Sequence, residues 1–214
     1  MKILVTGFDP FENERLNPAY EAVKLLPDKI AGIDVIKKEI PTVFGKCAFE
    51  VEKAIEQHNP DFVLCVGQAG GRSCISIEKV AVNFAEARIA DNEGNQPLDK
   101  SIIPDGPAAY FSSLPVKTMV ENVRSHGIPC HLSYSAGTFV CNDVMYRLLH
   151  LLNTKYHHIK GGFIHVPYTL AQAVTKPDRT PSWDEKTIAK GLEYAIGAIV
   201  HKKEDSDIVL GTTH

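Results

Sequence analysis

The sequence predicts a single α/β domain in three layers, an α/β/α sandwich around a largely parallel, mixed and twisted sheet. Three observations carry this. Short β-branched runs alternate with segments of helical periodicity along the chain. Residues 62–66, Phe-Val-Leu-Cys-Val, form a continuous apolar run of the kind buried on both faces of a parallel sheet. No repeat, low-complexity tract or linker divides the 214 residues, and 44% hydrophobic with 23% charged residues is an ordinary globular balance. One domain over residues 1–214 is therefore expected, with a loosely ordered tail from about residue 203.

In order, residues 3–8 read as a buried strand, and Asn17-Pro18 supplies an N-cap and a proline in the first turn for a helix through Leu26. Phe8 and Phe11 flank the intervening Asp9-Pro10 turn, as core or as the wall of a pocket. Residues 33–40 alternate as a second strand, and residues 44–57 place Phe44, Ala48, Val51, Ala54 and Ile55 on one helical face. Residues 61–67 are the continuous apolar strand, ending in Gly67-Gln-Ala-Gly-Gly-Arg72. That loop has the glycines of a phosphate cradle, but a phosphate loop needs a helix next, and residues 75–84 are β-branched and extended. The glycines are read instead as allowing a sharp bend and close backbone approach to a ligand.

Residues 85–106 form the longest polar segment, a length associated with function or mobility. Tyr110 to Leu114 leads through Pro115 into a helix to about His126, stopped by Gly127, and residues 128–134 read as a strand. Val144, Met145, Leu148, Leu149, Leu151 and Leu152 then recur at helical spacing, with His157 and His158 placed in the final turn. Residues 161–167 are a last strand, 168–181 a loop, and Ser182-Trp-Asp-Glu185 a capping box opening a helix to about Val200.

Charge and composition exclude several classes. A net charge of −3 without a basic run argues against a nucleic-acid or anionic-membrane partner and leaves small solutes or peptides. No apolar run approaches bilayer length, and the start of the chain has no signal-peptide pattern. Five cysteines, an odd number without a framework, fit free thiols in a reducing compartment, so a cytoplasmic location is expected. No His-Glu-x-x-His or paired Cys-x-x-Cys offers a ligand set, and neither metal nor cofactor is expected.

The stretch that carries chemistry is Ser135-Ala-Gly-Thr-Phe-Val-Cys141-Asn142, which delivers a cysteine to a strand-to-helix corner. A helix N-terminus favours thiolate over thiol, so this position is expected to lower the Cys141 pKa; the alternative is a small buried hydrophobe. Cys47 also falls in a first helical turn, but no base accompanies it. A cysteine nucleophile needs a histidine base and a third group that fixes the histidine tautomer. His165, at a strand end, is that base or a hydrogen-bonded core residue. Glu78, which interrupts an apolar strand, is the third group or part of a solvated strand face.

With these motifs in hand, the sequence resembles the pyroglutamyl peptidase I family, also called pyrrolidone carboxyl peptidases. Three motifs stand in family order: Gly67-Gln-Ala-Gly-Gly-Arg72 with Ile77-Glu-Lys-Val-Ala-Val-Asn83, then residues 135–142, then Phe163-Ile-His-Val-Pro-Tyr168. Thr6-Gly-Phe-Asp-Pro-Phe11 and Ala87-Arg-Ile-Ala-Asp-Asn92 also match, and the resemblance runs through the last helix.

The resemblance implies a phosphorylase/hydrolase-like fold and a cytoplasmic cysteine exopeptidase that removes N-terminal pyroglutamate from peptides. Cys141 would be the nucleophile, His165 the base and Glu78 its orienting group. Phe8, Phe11, Ile89, Phe139 and Val140 would line the lactam pocket, Gln68 would present its backbone to the lactam amide, and Asn17 would help hold the pocket. The Cys141 N–H would meet the oxyanion, with Arg88 a contributor. A homotetramer is implied as well. Chemistry agrees, since a pyroglutamyl end has no ammonium and calls for an apolar pocket without a carboxylate. The rival readings are a nucleoside-phosphorylase-like transferase using the residue 67–72 loop for phosphate, and a non-catalytic binding module.

Overall fold

The computed structural model describes residues 1–201 and 205–211. The chain opens with β1 (Lys2–Phe8), α1 (Pro18–Lys24), β2 (Lys29–Ile30), β3 (Ile33–Ile40), α2 (Lys46–His58) and β4 (Phe62–Gln68). Its middle contributes β5 (Ile75–Glu78), β6 (Val80–Val82), β7 (Ala109–Phe111), α3 (Val116–Ser125), β8 (Cys130–Ser133) and α4 (Val140–Thr154). Completing it are β9 (Lys160–Val166), β10 (Tyr168–Thr169), α5 (Leu170–Ala173), β11 (Ser182–Trp183) and α6 (Glu185–His201).

The central sheet has the order β2-β3-β1-β4-β9-β5-β8. Strands β3, β1, β4 and β9 run parallel; β5 is antiparallel to β9 and parallel to β8, and β2 is antiparallel to β3. Period-2 alternation explains why the inner strands are apolar throughout. Ile3 and Val5 of β1 and Leu64 and Val66 of β4 enter one core with Ala22 of α1, Met119 of α3 and Leu192 of α6. Leu4, Val63 and Cys65 enter the other with Val51 of α2 and Leu148 of α4. The sheet is thus covered on both faces, as a three-layer sandwich requires. Gly7 is where the first layer closes on it: a Cβ there would lie 2.6 Å from the Tyr20 backbone.

Several local expectations are corrected. Helix α4 ends at Thr154, so His157 and His158 lie beyond it and not in its final turn. Ser182 belongs to β11, and Asp184 caps α6 by accepting from Thr187 N at 3.0 Å. The capping box sits instead at Thr169 and Gln172, which open α5 inside a segment read as plain loop. Residues 128–134 contribute only the shorter β8.

Segment 85–106 is tied down at its turns. The Asp91 carboxylate accepts from the backbone N–H groups of Phe44, Glu93 and Asn95, and Asn92 Nδ2 donates to Asp9 Oδ1 and Pro10 O. Of the expected tail, residues 202–204 and 212–214 fall outside the described residues. Between them, Asp205 Oδ1 accepts from Thr118 N at 2.9 Å, supplying a cap for α3 where Pro115 has none, and Leu210 packs on the first core.

Candidate active site

The sheet gathers the chemistry at one end of its middle strands. Parallel pairing of β4 with β9 sets Gly67 opposite His165 and Gln68 opposite Val166. Antiparallel pairing of β5 with β9 sets Ser76 opposite His165 and leaves Glu78, two residues further, on the same face. Glu78 Oε1 consequently lies 2.7 Å from His165 Nδ1. Glu78 is fully buried and His165 is 3% exposed, so the solvated-face reading of Glu78 fails. The Phe163 ring meets the imidazole edge-on, with centroids 4.8 Å apart, and helps fix its plane.

Cys141 arrives from the other side, in the first turn of α4. Phe139 is the N-cap residue in extended conformation, and Gly137 takes a φ of +79°, a turn that favours glycine. The next two side chains anchor this corner. Asn142 accepts from Val82 N at 3.0 Å and donates to the carbonyls of Val82 and Phe84, stitching α4 to β6. Asp143 accepts from Gly45 N and from Arg147 Nε, both at 2.8 Å. Gly67 makes the room: a Cβ at that residue would lie 2.8 Å from Cys141 Sγ and 2.7 Å from Phe163 Cζ. The strand glycine thus permits the sulfur to approach the sheet edge where His165 is presented.

Electrostatics define the resting state. Burial pushes the Cys141 thiol up, to about 12, with the Glu78 charge adding to the shift and Arg72 opposing it. The direction is opposite to the lowering expected from the helix N-terminus, and burial is its largest cause. Burial also lowers the His165 pKa, against the raising effect of Glu78, so the imidazole is neutral at neutral pH. Burial alone would raise the Glu78 pKa, but His165, Ser133 and Arg72 together hold it below the ordinary value, and it is a carboxylate. The resting constellation is thus a thiol, a neutral imidazole whose Nδ1–H donates to a carboxylate, and a guanidinium behind it.

That guanidinium is the residue sequence reasoning missed. Arg72 Nη1 donates to Glu78 Oε1 at 2.7 Å, and Nη2 donates to Ser135 O at 3.0 Å, joining the glycine loop, the Glu78 carboxylate and the turn that precedes Cys141. Its signal was present as the only basic residue of the glycine loop, six positions before Glu78. The same contact answers the phosphate reading: Arg72 is committed to Glu78, and the loop leads into β5, not into a helix.

Phe8, Phe11, Asn17, Gln68, Phe139 and Val140 enclose a cavity of about 130 Å³ together with Thr42, Cys141 and His165. Its size is close to the roughly 150 Å³ apolar cavity that holds a benzene ring. Among the described residues no carboxylate lines it. Asn17 is fixed at both ends, donating to Asp9 O and accepting from Ala19 N, each at 3.0 Å, and Thr42 N donates to Asp9 Oδ1 at 2.7 Å. The aromatic turn at residues 8–11 is thereby pinned as a pocket wall. The Gln68 side-chain carbonyl accepts from Gln172 Nε2 at 2.9 Å, so the short α5 orients it. Ile89 and Arg88 do not line this cavity; they line a neighbouring one that shares Phe11, Gln68 and Phe139 with it.

Comparison with known proteins identifies the family. The chain matches the family model for pyroglutamyl peptidase over residues 1–202. It is 56% identical over 214 residues to the pyrrolidone-carboxylate peptidase of Enterococcus faecalis, covering 100% of both chains, and 56% identical over 211 residues to that of Clostridium perfringens, covering 99% of each. Among solved structures, the pyroglutamyl peptidase I of Bacillus amyloliquefaciens superposes with a TM-score of 0.92 at 45% identity, covering 97% of this chain and 99% of that one. The pyrrolidone carboxyl peptidase of Thermococcus litoralis gives 0.93 at 37% identity, with 98% and 99% covered. With this sequence match, this fold and this cysteine, histidine and glutamate at one sheet edge, the chain belongs to the pyroglutamyl peptidase family of cysteine peptidases.

Proposed function

We propose that this chain hydrolyses the amide bond after an N-terminal pyroglutamyl residue, releasing free pyroglutamate through a thioester on Cys141. The observation that carries the reading is a ring-sized, carboxylate-free cavity that ends on Cys141 and on a histidine buried against Glu78. A neutral lactam enters such a cavity without the desolvation that a free ammonium would require.

In this mechanism neutral His165 takes the Sγ proton as the sulfur attacks the pyroglutamyl carbonyl, so proton transfer accompanies attack. Glu78 stabilises the imidazolium that forms, and Arg72, hydrogen-bonded to Glu78, helps to keep it ionised together with Ser133. The Cys141 N–H, in the first turn of α4, meets the developing oxyanion, and Arg88 is assigned a supporting part from the neighbouring cavity. The imidazolium protonates the leaving amine; a water activated by His165 then cleaves the thioester. The Gln68 backbone serves the lactam amide, while Asn17 holds the wall and Phe8, Phe11, Phe139 and Val140 supply packing around the ring; Ile89 lines the neighbouring cavity instead. No metal or cofactor enters the scheme. A cytoplasmic homotetramer, as the family resemblance implies, belongs to the same proposal, and sedimentation of the purified protein tests the assembly.

Matched pyroglutamyl, prolyl and glutaminyl reporter amides test the function. Cleavage of the first with the other two essentially inert is expected, since leaving buried hydrogen-bonding groups unpaired can discriminate by about 10⁴–10⁵. Comparable rates on all three would overturn the pocket assignment.

A further inference from the structure

We infer that the cavity beside the ring pocket receives the residue that follows the pyroglutamyl group, and that Glu12 and Glu86 make it favour a cationic side chain over an anionic one. The inference rests on the pyroglutamyl-peptidase reading above. The ring pocket, at about 130 Å³, is filled by one small ring, so the chain beyond the scissile carbonyl leaves past its walls. Phe11, Gln68 and Phe139 are walls of both cavities, and across them lies the neighbouring space of about 310 Å³.

That space is built. Tyr168 lies against the glycine loop, and a Cβ at Gly70 would sit 2.1 Å from its Cζ, so the ring occupies this place only because residue 70 has no side chain. Glu86 is fixed beside the Phe139 wall by a reciprocal pair with Thr138: Glu86 N donates to Thr138 O at 3.1 Å, and Thr138 Oγ1 donates to Glu86 O at 2.8 Å.

Its charges differ in kind from those of the ring pocket. Two carboxylates, Glu12 and Glu86, face one guanidinium, Arg88, and among the described residues none of the three is in an ion pair. Lys176, whose ammonium lies 5.1 Å from the Tyr168 ring centroid, is paired with Glu14. The cavity therefore carries a net negative charge over an aromatic and aliphatic floor, a match for a lysine or arginine that lays its methylene stem on Tyr168 and Ile89 and extends its charge to the rim. The two glutamates are exposed, so the preference is modest and is screened by salt.

The experiment compares kcat/KM for pyroglutamyl-Lys, pyroglutamyl-Met and pyroglutamyl-Glu peptide amides at low and high salt, in the wild type and in Glu12→Gln, Glu86→Gln and the double variant. The expected order is Lys, then Met, then Glu, with a Lys-to-Glu ratio of about three- to tenfold at low salt. That ratio is expected to shrink toward one with added salt and in the double variant, and to widen in Arg88→Gln. A ratio of one in the wild type at low salt, or a ratio the double variant leaves unchanged, overturns the subsite. If none of the three peptides is cleaved, the functional reading itself falls, and this one with it.

Discussion

Two cysteines sit in the first turns of two helices that pack side by side on one face of the sheet, Cys47 in α2 and Cys141 in α4. A helix N-terminus is offered to both, yet neither is a thiolate at rest. Burial, with Asp143 nearby, holds the Cys47 thiol well above its ordinary value, and burial holds that of Cys141 at about 12. What separates them is their surroundings. The Cys47 thiol is buried and points its hydrogen at Asp143 Oδ2, 3.7 Å away, whereas Cys141 opens on a cavity that also contains His165. In the proposed mechanism, then, a neighbouring base and not the helix end separates the nucleophilic cysteine from the inert one.

The largest effect is expected from the cysteines themselves. Cys141→Ala should abolish turnover with the fold intact by circular dichroism, while Cys47→Ala should keep most of the activity and lose about 1 kcal/mol of stability to a small cavity. Next come the groups that only Cys141 possesses. His165→Ala and Glu78→Gln should each lower kcat by about 10⁴, and the double variant should be little worse than either. Multiplicative losses in that cycle would demote Glu78 to a packing residue.

Placement comes third. Gly67→Ala pushes a methyl group toward Cys141 Sγ and should cost about 10²-fold in kcat, the order expected of a displacement near 1 Å, with KM changing less.

The pH profile carries the smallest effects and the sharpest sign. The proposed mechanism uses His165 as a neutral base, and its pKa is lowered, so the acid limb of kcat/KM should fall below pH 6.5, the ordinary histidine value. Glu78 raises that pKa, so the limb of Glu78→Gln should move to lower pH. Arg72 lowers it, so Arg72→Met should move the limb to higher pH. A merely structural Arg72 would leave the limb in place.

How far the chain could be read in advance follows from where the information sits. Strand β3 and the cap at Asn17 were legible because period-2 alternation and an Asn-Pro start are local signals, and both stand where they were expected. The pairing of β5 antiparallel to β9 was not, because nothing local sets strand direction, and that pairing is what brings Glu78 to His165. Family motifs point to Cys141, His165 and Glu78, but the helix-end argument for the thiol carries no burial, so it gives the pKa direction with the wrong sign. Arg72 escaped notice because glycine loops are read for their backbone. Ser182 reads as the cap from its Ser-x-x-Glu spacing, but both Ser182 and Trp183 pair with β10, which leaves Asp184, also a good capping residue, to cap α6.

One measurement bears on the central comparison most directly: acid-quenched single turnover with a pyroglutamyl amide, followed by proteolysis and mass spectrometry of all five cysteine peptides. The account predicts one added pyroglutamyl acyl group on the peptide containing Cys141, none on those with Cys47, Cys65, Cys74 or Cys130, and no adduct in His165→Ala. An acyl group on Cys47, or an adduct that forms at the normal rate without His165, would contradict it.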